Sequence, residues 1–239
     1  MKGDVNTMKR SKKWIGAVLA ALTVSAALLA APATASANED DPLITQMETF
    51  LIEYGGSATN AAVLVKRFRA GLPIQAASSS STPLAVQRYA KSGYNYTVSK
   101  YADGSIGVMR VQQPNPLSTG PSTFAISGCG SYTSGSESHR TNCLVDFLYG
   151  LVAMSFRADF TYVTPGNDRI DSVWGDSWSI GGACSTNRNY FGIQKKYEDA
   201  SGPARARLQV QAQMCGIPYT TTFYLQLQVG AGGATFQYG

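Results

Sequence analysis

The chain has 239 residues, with 20 lysines and arginines against 15 aspartates and glutamates, one histidine and four cysteines. Only 15% of it is charged while 44% is hydrophobic. That balance excludes an intrinsically disordered acidic or basic tail, and the length suits one domain of about 200 residues with its own core.

The formal charge of +5 belongs mostly to the first 37 residues. Lys9, Arg10, Lys12 and Lys13 precede an Ala- and Leu-rich run from Trp14 to Ala31. Small-residue cleavage patterns follow at Ala33-Thr34-Ala35 or Ala35-Ser36-Ala37. This order is that of a secretory signal peptide over 1–37, and it predicts a secreted, extracellular protein. A membrane anchor is the rival reading, but the run leads through small residues straight into Asn38-Glu39-Asp40-Asp41. Removing the signal takes away five basic and one acidic residue and lowers the net charge from +5 to +1. What remains (Lys66-Arg67-x-Arg69 and Lys195-Lys196) is no phosphate-tracking stripe, so no nucleic-acid partner is expected. No transmembrane helix is expected after signal removal.

Residues 38–74 read as a helical segment. Asp40 or Asp41 can cap, Pro42 suits a first helical position, and Leu43, Ile44, Met47, Phe50, Leu51 and Tyr54 recur at helical spacing until Gly55-Gly56. A second helix is predicted from about Asn60 to Ala70, with Val63, Leu64 and Phe68 on one stripe and Gly71 beyond it. The Ser-rich stretch within 75–93 has the composition of a linker. Over 94–113 the period changes to two, with Asp103-Gly104 between β-rich runs, which predicts a hairpin. Residues 114–121 hold three prolines and form a connector; whether 38–113 is a pro-region stays open.

From 122 to 239 the pattern is that of an antiparallel β domain. Ala204, Ala206, Leu208, Val210, Ala212 and Met214 alternate with Arg205, Arg207, Gln209, Gln211 and Gln213. Phe223, Leu225, Leu227 and Val229 do the same against Tyr224, Gln226 and Gln228. Strict period two with one polar face means strands packed on one side and wet on the other. Further strands are expected near 122–127 and over Arg169–Ile180. The fold class expected is mainly β, an antiparallel β-sandwich-like domain with a short N-terminal helical segment.

Four cysteines in an exported chain predict two disulfides; of three connectivities, Cys129–Cys143 and Cys184–Cys215 are favoured, the first closing a short Ser/Gly-rich loop. Zinc fits poorly without a C-x-x-C spacing and with a single histidine, so no metal and no cofactor is expected. Gly175-Asp176-Ser177 followed by Trp178-Ser179 lacks the continuation a serine-protease nucleophile needs, and His139 stands only 38 residues upstream of Ser177. The acids Asp168, Asp171 and Asp176 carry an alternative reading as a secreted hydrolase. A pore-forming amphipathic hairpin is the other alternative. The leading expectation is a non-enzymatic binding or surface-interaction protein. Its exposed rings, Trp174, Trp178 and Tyr190, would contact a glycan, a cell-wall polymer or another extracellular protein.

Overall fold

The computed structural model describes residues 41–114, 128–216 and 218–239. The signal reading of 1–37, the strand expected over 122–127 and all of the connector after Pro114 lie outside the described residues. Among those described, two helices precede eleven strands. They are α1 (Pro42–Glu53), α2 (Ala61–Arg69), β1 (Ala85–Lys91), β2 (Tyr94–Lys100), β3 (Ile106–Gln112), β4 (Gly130–Ser134), β5 (Glu137–Tyr149), β6 (Val152–Val163), β7 (Arg169–Ile180), β8 (Ala183–Lys195), β9 (Ala204–Met214), β10 (Thr220–Gly230) and β11 (Gly233–Tyr238).

The strands form two antiparallel sheets. The first runs β1-β2-β3-β5-β6-β7, with β4 paired to the opening half of β5; the second runs β11-β10-β9-β8. The chain passes between the described sheets once, through Gly181-Gly182 after β7. Inward-facing residues of both sheets make the core, which gives the β-sandwich-like fold. Along β6, Val152, Met154, Phe156, Ala158 and Phe160 are buried at every second position. Every even position of β9 from Ala204 to Met214 is buried, as are Phe223, Leu225, Leu227 and Val229 of β10. Binary patterning therefore decides which face of each strand is dry.

The helices close one end of the sandwich. Asp41 caps α1 by accepting the Leu43 N–H at 3.0 Å and also receives Arg69 of α2, so one carboxylate ties both helices. Met47 packs on Gly150 in the β5–β6 turn, where φ is +58° and an added Cβ would strike the Met47 sulfur. Phe68 of α2 meets Tyr149 and Phe223 at ring separations of 6.2 and 6.3 Å, reaching both sheets. Leu64, Val65 and Phe68 form the buried stripe of α2, whereas Val63 points to solvent at 60% exposure. The expected stripe is thus turned by one residue, because Leu64 and Val65 face the sheets.

Two further differences concern the segments before residue 114. The stretch 75–93, expected to be linker, contains the edge strand β1, paired along its whole length to β2 from Ala85↔Lys100 to Lys91↔Tyr94. All seven β1 residues are exposed, so no apolar alternation marks it. The hairpin over 94–113 forms with its Asp103-Gly104 turn, and β3 pairs onward with β5 from Val108↔Leu148 to Val111↔Val145. It is part of the first sheet.

Both disulfides form as favoured, Cys129–Cys143 and Cys184–Cys215, with Cα separations of 4.1 and 4.9 Å. The first lies beside a bulge in β5, where Asn142 adopts φ +56° and donates its backbone N–H to Asp159 at 2.7 Å. Asparagine tolerates that left-handed geometry better than most residues. Among the described residues no helix is long and apolar enough to cross a membrane.

Candidate functional site

The three acids weighed as a catalytic set are held apart by separate partners. Asp168, in the β6–β7 turn, is buried and accepts the Val163 N–H and the Gly232 N–H, each at 2.8 Å. Asp171 receives Arg169 Nε at 2.8 Å and the Thr161 hydroxyl at 2.6 Å. Asp176 pairs with Arg188 at 2.8 Å. No two of them share a partner, and Asp168 serves backbone amides rather than a cavity.

His139 sits in a closed polar ring. Thr161 gives its hydroxyl proton to Asp171, so His139 Nδ1 donates to the Thr161 oxygen at 2.9 Å. Nε2 lies 3.3 Å from Glu137, an ion pair when the imidazole is protonated. Arg169 binds both Glu137 oxygens at 2.8 Å and holds that carboxyl below the usual carboxylate range. Tyr132 stacks on the imidazole at 4.3 Å. A carboxylate, a hydroxyl and an imidazole in line have the composition of an activated nucleophile, but Thr161 is fully buried and its oxygen faces no open space. The ring cross-links β5, β6 and β7.

The three aromatic residues expected at a binding surface line one seam. Trp178 donates its indole N–H to Thr186 at 3.0 Å, and Asp176 pairs with Arg188. These contacts set β7 against β8 at positions 178/186 and 176/188, on the strands that also carry Trp174 and Tyr190. Trp174 and Tyr190 are each 37% exposed, while Trp178 packs partly against the core. β7 and β8 are the edges of different sheets, bridged by backbone hydrogen bonds at Arg169↔Tyr197, and along the rest of the seam Trp174 and Tyr190 stay part-exposed.

A larger feature lies at the opposite border, and the residues that make it are absent from the sequence expectations. The first sheet continues through β2 and β1 beyond β3, whereas the second ends at β11. β11 covers the middle of the first sheet: Tyr238 stacks on Phe147 at 4.0 Å and its hydroxyl bonds to Tyr101. Where the sheets part, a cleft of about 660 Å³ opens. Met109, Val111, Phe160 and Phe236 supply apolar walls, and Tyr89 stacks on Tyr96 at 4.9 Å on its border. Arg88 and Arg140 are its charged lining residues. Tyr162 also lines it; burial pushes its phenol up, against the pull of Arg140, whose guanidinium stands 5.5 Å from the ring. The signal that could have located this cleft was β1, whose solvated composition disguised it as linker.

No protein-family model matches the chain, and no curated protein matches it. A structural likeness exists to a hypothetical protein from Listeria monocytogenes EGD-e, at 14% identity and a TM-score of 0.32, covering 64% of this chain and 94% of that one.

Proposed function

We propose that this is a secreted, disulfide-stabilised protein that works by binding a ligand in the cleft between its two sheets. The observation that carries the reading is the cleft itself: about 660 Å³, apolar walls drawn from both sheets, and a few polar groups on its lining. Binding sites for small ligands have this size and composition, about 300–1,000 Å³ with sparse orienting groups. The basic, apolar and small-residue order of 1–37 and the two disulfides support an extracellular setting. The test uses N-phenyl-1-naphthylamine, an uncharged apolar fluorophore, titrated into the mature chain. Saturable one-to-one uptake, abolished by Met109→Trp in a protein of unchanged circular dichroism, supports the cleft as the site. Uptake that is unsaturable, or unaffected by the filling substitution, sinks it.

A second reading rests on the seam. Trp174 and Tyr190, both part-exposed beside the Asp176–Arg188 pair, offer flat rings with polar neighbours, a surface suited to sugar rings of a glycan or cell-wall polymer. Co-sedimentation with insoluble polysaccharide tests it. Retained sedimentation of Trp174→Ala and Tyr190→Ala proteins would remove the seam from consideration.

A further inference from the structure

Building on the cleft as a binding site, we infer that its ligand is an anionic single-chain amphiphile: an apolar chain ending in a carboxylate or phosphate group held by Arg88 and Arg140. Among the described residues the lining contains these two guanidinium groups and no aspartate or glutamate. Glu137 and Asp171 are engaged by Arg169 and Asp146 by Arg110, while Asp168, the acid felt by Tyr162, is taken up by the Val163 and Gly232 amides. The Arg88 side chain makes no ion pair or hydrogen bond among the described residues. It stands opposite Thr97 in the β1–β2 register, two residues from Ala90, and these three residues line the cleft.

Arg140 reaches it from β5. Its Nη1 donates to Ser138 Oγ at 2.9 Å and to the His139 carbonyl at 3.1 Å, which fixes the guanidinium beside the Tyr162 ring. Among the described residues none of its contacts is an acid, and Nε and Nη2 carry no hydrogen bond there, so both can take an anion. A planar fork with free donors matches a carboxylate or phosphate in a way a point charge does not. The exposed Arg88 and the part-buried Arg140 stand at the lining beside Met109, Val111, Phe160 and Phe236, where an arriving anion meets two cations that no acid pairs among the described residues. The apolar walls in turn require more than a free inorganic anion. A ligand with a greasy body and a negative head satisfies both halves of the lining.

Three probes separate the possibilities: 11-(dansylamino)undecanoic acid, its methyl ester of nearly the same size, and hexaglutamate as a competitor. The acid is expected to bind the mature chain about tenfold more tightly than the ester, the size of one charge-assisted contact. Arg88→Gln and Arg140→Gln should each bring the acid toward the ester's affinity while leaving the ester unchanged. Lys91→Gln, on the same strand but away from the lining, should leave both unchanged. Equal binding of acid and ester, or indifference to both arginine substitutions, overturns the anionic head and leaves the cleft reading standing. Displacement of the acid by equimolar hexaglutamate overturns the amphiphile in favour of an acidic peptide. If neither dansyl probe binds a folded protein, the cleft reading falls too. A glutamine variant with altered circular dichroism is replaced by Arg→Lys, which should keep part of the preference for the acid.

Discussion

Asp168 accepts the backbone N–H of Gly232 across 64 residues of chain, joining the β6–β7 turn of one sheet to the β10–β11 turn of the other. Its second oxygen accepts Val163 N–H, and the neighbouring Glu198 takes Ala231 N–H at 2.9 Å. The carboxylates that looked like candidate catalytic acids include one that fastens the far end of the sandwich. Asp168→Asn keeps the shape but offers an N–H to one of the two amides. It should cost about 1–3 kcal/mol, since a buried donor loses its acceptor. Urea denaturation with an unchanged m-value is the measurement, and a midpoint equal to that of the parent chain would contradict the assignment.

Acid should weaken the fold through well-paired carboxylates. Lys195 and Ser201 hold Asp199 down to about 2, Arg169 lowers Glu137, and Arg69 lowers Asp41. A carboxylate whose folded value lies below its unfolded one adds stability above the unfolded value. That stability is lost as pH falls through the folded one. The melting temperature should therefore be flat near neutrality and decline from about pH 4 toward pH 2. Lys195→Met should shallow that decline, because Asp199 loses the first of its partners. An unaltered slope would show that this pair contributes nothing measurable.

The turned stripe of α2 gives a paired test. Leu64 is fully buried and Val63 largely exposed. Leu64→Ala should cost about 2–5 kcal/mol, whereas Val63→Ala should stay within about 0.5 kcal/mol. Thermal unfolding of the two variants side by side is sufficient, and comparable losses would refute the helix orientation.

Each disulfide closes a loop inside one sheet, over sequence separations of 14 and 31 residues. In the chain-entropy account, replacing either pair with alanines should cost about 2–4 kcal/mol. Peptide mapping without reduction should recover Cys129 with Cys143 and Cys184 with Cys215, and any scrambled pair would contradict the fold.

What the sequence disclosed tracks how strongly burial imposes a period. β9 and β10 were legible residue by residue because one face is dry and the other wet. Gln226 is the instructive exception: it sits on the polar face yet is buried, for Arg207 donates to its oxygen at 2.7 Å and its own amide reaches Gln237. Long polar side chains lying flat on a sheet cover one another, and no periodicity records that. β1 escaped notice because all seven of its residues are exposed, and a strand without a buried face has no alternation to read. The cleft escaped for a related reason. Its lining joins β1, β2, β3, β5, β6 and β11, whose proximity is a property of the topology. The seam was partly legible, since aromatic density pointed to Trp174 and Tyr190, but not that they border two sheets.

The single passage through Gly181-Gly182 has a consequence for how the molecule can be taken apart. Every described strand before it belongs to one sheet with its own sulfur staple, and every described strand after it to the other, likewise stapled. No sulfur bridge spans the divide, so what unites the halves, apart from that glycine pair, is side-chain interdigitation and a few hydrogen bonds such as Asp168 with Gly232. Two polypeptides, one ending at Gly181 and one beginning at Gly182, should therefore find each other and rebuild the whole when mixed. The unjoined border at the cleft is where such an assembly would breathe first.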